Sequence, residues 1–117
     1  MSKFLTTVFL LASFSLLAQV ETGTASFYHN KFQGRKTSSG EIFKQELLTC
    51  AHKSLPFGTM LKVTNLSNDS TVVVKVNDRL PKRSKRTIDL TTTAAKQLNF
   101  IAKGLTKVKI ERIIEDK

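Results

Sequence analysis

Three short stretches concentrate polar side chains beside turn-forming residues: Thr37-Ser38-Ser39-Gly40-Glu41, Thr49-Cys50-Ala51-His52 and Val76-Asn77-Asp78-Arg79-Leu80-Pro81. Their carboxyl and imidazole groups are the kinds of side chain that move protons or grip a polar ligand. Metal chemistry of the zinc type is not indicated, because Cys50, His29 and His52 form no recognised ligand spacing. No cofactor is called for. Cys50 is the only cysteine, so an internal disulfide is excluded, and the residue reads as a small buried apolar one.

The elements that must position these groups read as short strands broken by Gly, Pro, Asn and Ser, the pattern of a small β-barrel or sandwich. Thr71 to Asp78 is the clearest strand, with Val72, Val74 and Val76 on one side and Val73, Lys75 and Asn77 on the other. Asp78 therefore falls at a strand end. Thr59 to Asn65 alternates in the same way, and the turn residues Asn68-Asp69 join the two runs into a hairpin. A third strand near Leu105 to Ile114 turns Val108 and Ile110 inward and closes the domain.

A helix is expected after Asp89-Leu90, capped by Thr91 or Thr92 and ended by Asn99. A second helical turn is expected around Ala51 to Leu55, stopped by Pro56. These two stretches parallel each other. Leu48-Thr49 through Gly58 to Val63 matches Asp89-Leu90 through Gly104 to Ile110, as a pseudo-twofold barrel of two interlocked halves would require.

The chain has 117 residues, room for one domain. Lys3, the apolar run from Phe4 to Leu17 and Ala18-Gln19 have the three parts of a secretory leader, so residues 1–18 are expected to be removed after Ala18. The run is too short for a permanent membrane span, and the single domain is assigned to residues 19–117, with a frayed tail over residues 115–117. Without Lys3 the mature chain keeps 18 basic against 9 acidic residues, a formal charge of +9. Such a surface attracts polyanions. Nucleic acid is not the expected partner, because neither a recognition helix nor an aromatic RNA-binding signature is evident. The chain is expected to be a monomer.

Gly23-Thr24-Ala25-Ser26-Phe27-Tyr28, Phe32-Gln33-Gly34-Arg35 and Thr37 to Glu41 resemble the opening of rare lipoprotein A domains. Leu48 to Leu55 resembles the "LTAAHKTLP" element of that family. Val63-Thr64-Asn65-Leu66, Val72 to Arg79 and Ile88-Asp89-Leu90 continue the match in order through its "VTNL", "VNDRGP" and "IDLS" elements. Several ordered motifs from Gly23 to Ile113 are far more specific than any single short match. The resemblance implies a mainly β fold, a six-stranded double-psi β-barrel with one or two short helices. It also implies an exported lytic transglycosylase of the periplasm or cell envelope. Such an enzyme cuts the bond between N-acetylmuramic acid and N-acetylglucosamine in peptidoglycan glycan strands, with the sugar's own 6-hydroxyl closing a 1,6-anhydro product.

By position in the family motif, Asp78 is expected to carry the proton, with Glu41 and His52 as its catalytic companions. Glu41 would raise the Asp78 pKa by like charge, and His52 would orient Asp78 or bond the sugar. Thr49, Asn77, Arg79, Asp89 and Tyr28 are the expected substrate-binding residues. Alternatives stand beside these roles: Glu41 as a solvated turn residue, His52 as a helical-turn residue bonded to backbone. Asp89 reads more readily as a helix cap, and Tyr28 as either a sugar-stacking ring or a barrel-wall aromatic. The basic run Lys82 to Arg86 reads as an exposed loop beside Asp78. The sequence departs from the family at Leu80, where glycine is expected, at Lys44, often acidic, and at Phe27, commonly tryptophan. Neither lipid attachment nor the family's frequent C-terminal wall-binding repeat is expected. These departures keep open a second reading, a non-catalytic, expansin-like wall-binding or wall-loosening module.

Overall fold

The computed structural model describes residues 20–114. The expected leader, its cut after Ala18 and the frayed tail lie outside the described residues. Six strands, β1 (Val20–Phe27), β2 (Thr49–His52), β3 (Met60–Asn65), β4 (Thr71–Arg79), β5 (Ile88–Leu90) and β6 (Thr106–Arg112), close into a barrel. The order around it is β1-β5-β2-β4-β3-β6. Pairs β1/β5 and β2/β4 are parallel, and the other four are antiparallel. Exchanging β1 with β4, β2 with β5 and β3 with β6 maps every pairing onto itself or onto another of the same sense. The pseudo-twofold expected from the parallel between Leu48–Val63 and Asp89–Ile110 is therefore present in the topology.

Period-two alternation fills the interior. Leu61 and Val63 of β3, Val72, Val74 and Val76 of β4, and Val108 and Ile110 of β6 are buried in one cluster with Ala25, Cys50, Ile88 and Leu90. The expected hairpin is the antiparallel β3/β4 pair, and β6 bridges β3 to β1. A short helix, α1 (Thr92–Gln97), seals the barrel with Ala94 and Ala95. Thr91 caps it, accepting from the Ala94 N–H at 3.4 Å. Asn99, at φ 56°, ends it in the left-handed region that asparagine tolerates. No helix among the described residues is long and apolar enough to cross a membrane.

Two local expectations are corrected. Ala51 to Leu55 is not a helical turn, because β2 lies inside the barrel wall and pairs with β4 on one side and β5 on the other. Two ladders outweigh the modest helical preference of Ala51. Asp89 caps nothing. It sits within β5, and the cap is Thr91.

A second, smaller cluster lies outside the barrel, where the segment between β1 and β2 folds back over the wall. Tyr28, Phe43, Ala51 and Leu80 are buried there with Phe32 against them. The end of β1 and the residue after it thus pack on both faces, with Ala25 and Phe27 inward and Ser26 and Tyr28 outward. Gly23 lets the start of β5 approach β1 closely, since a Cβ at that position would lie 2.0 Å from Thr87 Oγ1. The Thr87 N–H donates to Thr24 O at 2.8 Å. Gly23→Ala is expected to force this contact apart and lower stability by about 1–3 kcal/mol. The loss should appear as a lower urea midpoint with unchanged slope. Part of it should return in Gly23→Ala/Thr87→Gly, measured against Thr87→Gly alone.

Candidate functional site

Four neighbouring strands bring one outward-facing residue each into a single row. Ser26 of β1 pairs with Asp89 of β5, Asp89 with Ala51 of β2, and Ala51 with Asp78 of β4. The two aspartates stand two strands apart, about 10 Å between their Cα atoms, with only the methyl group of Ala51 between them. Above this row opens a cleft of about 410 Å³, bordered by Tyr28, Asp78, Arg79, Leu80, Arg86 and Asp89.

Asp78 reaches the row through a β-bulge. Cys50 pairs with Val76 but Ala51 pairs with Asp78, so Asn77 is the extra residue on β4. The carboxyl of Asp78 accepts from the Tyr28 hydroxyl and from the Ser38 N–H at 2.9 Å. Partial burial alone would push this carboxyl up. The hydrogen bonds from Tyr28, Ser38 and the Arg79 backbone outweigh it and hold the pKa below the ordinary carboxylate value. The expectation of a raised pKa at Asp78 is therefore reversed.

The raised carboxyl is Asp89. Burial, to 9% exposure, is the main cause, and the charge of Asp78 adds to it. The Ser26 hydroxyl, donating at 3.0 Å, and Arg86 pull the other way without cancelling the burial. Arg86 also donates to Ser26 Oγ at 3.1 Å. The cleft thus holds two carboxyls whose surroundings drive their proton affinities apart, the arrangement from which acid and base roles follow.

Glu41 and His52 do not join them. The loop from Thr37 to Glu41 does reach Asp78, but through the Ser38 N–H. The Glu41 carboxylate turns away to Lys75 at 2.9 Å. Its hydrogen bonds to Lys75 and Asn77 lower its pKa, and it borders a separate pocket with Ser39, Phe57 and Lys75. His52 alternates with Ala51 and points to a barrel end lined by Glu21, Leu55 and Arg112. Its Nδ1 accepts the N–H groups of Ser54 at 3.2 Å and Leu55 at 3.1 Å. Nε2 is left to donate to Glu21 Oε1 at 2.5 Å. The trio expected in one groove is divided among three pockets.

Of the remaining candidates, Tyr28 is a wall aromatic. The residue is 9% exposed, and its ring has Phe43 at 4.3 Å and Phe32 at 5.8 Å between centroids. Burial and the neighbouring Asp78 push its phenol far up, so the hydroxyl stays a donor. Arg79 turns from the Asp78 carboxylate, as alternation predicts, and lies over the Phe57 ring at 4.2 Å. Asn77 is buried beneath the Ser39–Glu41 turn, its carbonyl accepting from the Ser39 N–H at 3.2 Å. Thr49 is buried, and its carbonyl accepts from the Thr91 N–H at 3.2 Å. Among the described residues no group of three or more His, Cys, Asp or Glu could hold a metal ion. Sequence reasoning missed Ser26, Ser38 and Glu21, whose partners lie 63, 40 and 31 residues away. Ser38 lay in the polar stretch Thr37 to Glu41, and alternation places Ser26 on the face of Tyr28.

Residues 20–110 match the family model described as lytic transglycolase. The chain is 46% identical over 94 residues to the endolytic peptidoglycan transglycosylase RlpA of Haemophilus influenzae, covering 80% of this chain and 33% of that protein. It is 48% identical over 97 residues to the protein of the same name from Campylobacter jejuni, covering 83% and 35%. The chain thus spans about a third of the length of these curated relatives. Among solved structures, the apo expansin of Clavibacter michiganensis superposes with a TM-score of 0.67 at 20% identity, covering 84% of this chain and 52% of that one. The Streptomyces papain inhibitor superposes with a TM-score of 0.66 at 20% identity, covering 82% and 96%. These likenesses show the fold as a double-psi β-barrel. With the family model matching nearly all of the described barrel, the chain belongs to the lytic transglycolase family, alongside the rare lipoprotein A proteins.

Proposed function

We propose that this barrel cleaves peptidoglycan glycan strands as a lytic transglycosylase, with Asp89 and Asp78 as its catalytic pair. The observation that carries the reading is the row Ser26–Asp89–Ala51–Asp78, which sets two carboxyls at the floor of one cleft. Asp89, held toward its protonated form, gives its proton to the glycosidic oxygen as the C1–O bond breaks. Asp78, held ionised, faces the positive charge that develops on the sugar ring. The 6-hydroxyl of the same sugar then bonds to C1 and returns its proton to Asp89. The product is a 1,6-anhydro end, and no water is consumed. One carboxyl serving as acid and then base restores the site. Glu41 binds substrate away from the reacting bond in this reading, and His52 holds the end of β2.

Support for the substrate comes from the names of the relatives, which act on peptidoglycan, and from the basic side chains of Lys31, Arg79 and Arg86 at the cleft. The expected leader supports export to the cell envelope. Closure of all six strands leaves no sheet edge for pairing, which supports a monomer. Protein recovered from the envelope fraction is expected to begin at Gln19 and to scatter light as a monomer. An intact leader or a stable dimer would count against these two assignments.

Mass spectrometry of peptide-free glycan digested with the protein is expected to show anhydro-ended fragments. Asp89→Asn and Asp78→Asn should each lower their formation on the order of 10²- to 10⁴-fold. Folded wild-type protein that binds insoluble wall but releases no such fragments would instead identify a non-catalytic gripping module.

The pH dependence has a defined sign. Activity should fall on the acid side as Asp78 takes up a proton below the ordinary carboxylate value, and on the alkaline side as Asp89 loses its proton above it. Ser26→Ala removes a hydrogen bond that favours ionised Asp89. It should therefore move the alkaline limb to higher pH and leave the acid limb in place. A limb that moves down, or not at all, would remove Asp89 from the donor role.

A further inference from the structure

Phe57 belongs to neither buried cluster and is 43% exposed. Its place is nonetheless fixed. Pro56, Phe57, Gly58 and Thr59 form a turn closed by the Thr59 N–H to Pro56 O at 3.1 Å, with Gly58 at φ 90°. That is the positive φ which the third position of a type II turn demands. The Gly58 N–H ties this turn to Val76 O at 2.8 Å. The ring is thus an aromatic surface presented on a rigid turn, with the Arg79 guanidinium over one face at 4.2 Å.

Phe57 borders a pocket of about 280 Å³ with Ser39, Glu41, Gly58 and Lys75. Arg79 borders the Asp78–Asp89 cleft. The Phe57–Arg79 stack therefore links a residue bordering one hollow to a residue bordering the other. Lys75 and Glu41 border the same pocket as Phe57, a donor and an acceptor 2.9 Å apart and both partly exposed. An aromatic ring to meet the C–H face of a pyranose, and a charged pair to take its hydroxyls, together suit a sugar.

We propose that Phe57, with the Lys75–Glu41 pair, forms a second sugar subsite that takes a pyranose of the same strand whose reacting bond lies at Asp78 and Asp89. This rests on the reading of the cleft as glycan-cleaving and gives Glu41 a place in it. The strand passes over Arg79 from one hollow to the other. Short fragments seated at the aspartates do not reach Phe57, whereas longer ones do.

The test is calorimetric binding of peptide-free glycan, disaccharide and hexasaccharide, to full-length protein in an Asp89→Asn background, where the ligand is not consumed. Adding Phe57→Ala should weaken the hexasaccharide roughly tenfold, the scale of one aromatic stacking contact, and leave the disaccharide unchanged. Phe57→Tyr should restore the longer ligand. Lys75→Ala gives a second variant on the exposed side of the pocket, expected to show the same length dependence, should Phe57→Ala shift the thermal midpoint. An equal loss for both lengths, or none for the hexasaccharide, overturns the subsite. Anhydro-ended products from the wild type, read separately, decide the lyase reading, so the two failures are distinguishable.

Discussion

One extra residue in β4 organises the site. Strict alternation after Val72, Val74 and Val76 would send Asp78 into the barrel, where a carboxylate among valines costs several kcal/mol unless paired. The bulge at Asn77 shifts the register by one, so that Asp78 pairs with Ala51 and faces outward. The same shift aligns it with Asp89, because Ala51 is the residue both aspartates flank. Asn77 is covered by the Ser39–Glu41 turn, whose backbone closes on its carbonyl. The bulge is thus stabilised by the loop that also delivers the Ser38 N–H to Asp78.

The difference between the two carboxyls follows from what each is given. Asp78 is less deeply covered and receives a phenol and a backbone N–H, so the ionised form is well solvated by fixed dipoles. Asp89 lies in β5 between β1 and β2 and receives a single serine hydroxyl, which does not offset its burial. The cationic neighbour Arg86 belongs to an exposed basic loop, where solvent screens the charge. Each environment in turn depends on the barrel. A chain with one buried free cysteine holds this geometry by closure, packing and hydrogen bonds rather than by a disulfide. Asn65 shows how: buried beside α1, it donates to Leu98 O at 2.7 Å and accepts from Thr106 at 2.8 Å and Ser67 at 2.9 Å. Three segments meet on one side chain, with its polar atoms satisfied.

Where period-two alternation was clean, the elements were legible: β3, β4, β6 and the hairpin stood in the valines and leucines, and α1 in Thr91 and Asn99. β2 was not. Ala51, Lys53 and Leu55 before Pro56 carry a helical preference, and only pairing with strands distant in sequence overrides it. Asp89 beside Thr91 satisfies the local rule for a cap equally well, and the choice is made by β1 and β2 closing on β5. The gathering of Glu41, His52 and Asp78 failed for the same reason. Proximity to turns says that a side chain is free to meet a partner. Which partner it meets is set by register across the barrel, and a bulge of one residue leaves no mark in composition.

Two of the three departures from the family pattern, Leu80 and Phe27, border the cleft. Leu80, in place of glycine, is buried against Tyr28, Phe43 and Ala51, and its N–H donates to His52 O at 3.3 Å. It therefore completes the outer cluster that holds the Tyr28 hydroxyl on Asp78. Phe27, in place of tryptophan, meets Phe100 edge-on at 5.6 Å between centroids, inside the barrel cluster. Lys44 is exposed on the covering segment and does not border the cleft. None of these three is itself a hydrogen-bond partner of the Asp78 or Asp89 carboxyl. The opposed environments of the two carboxyls are a property of the barrel's register, and they persist for as long as β5 and the bulged β4 stay on either side of β2.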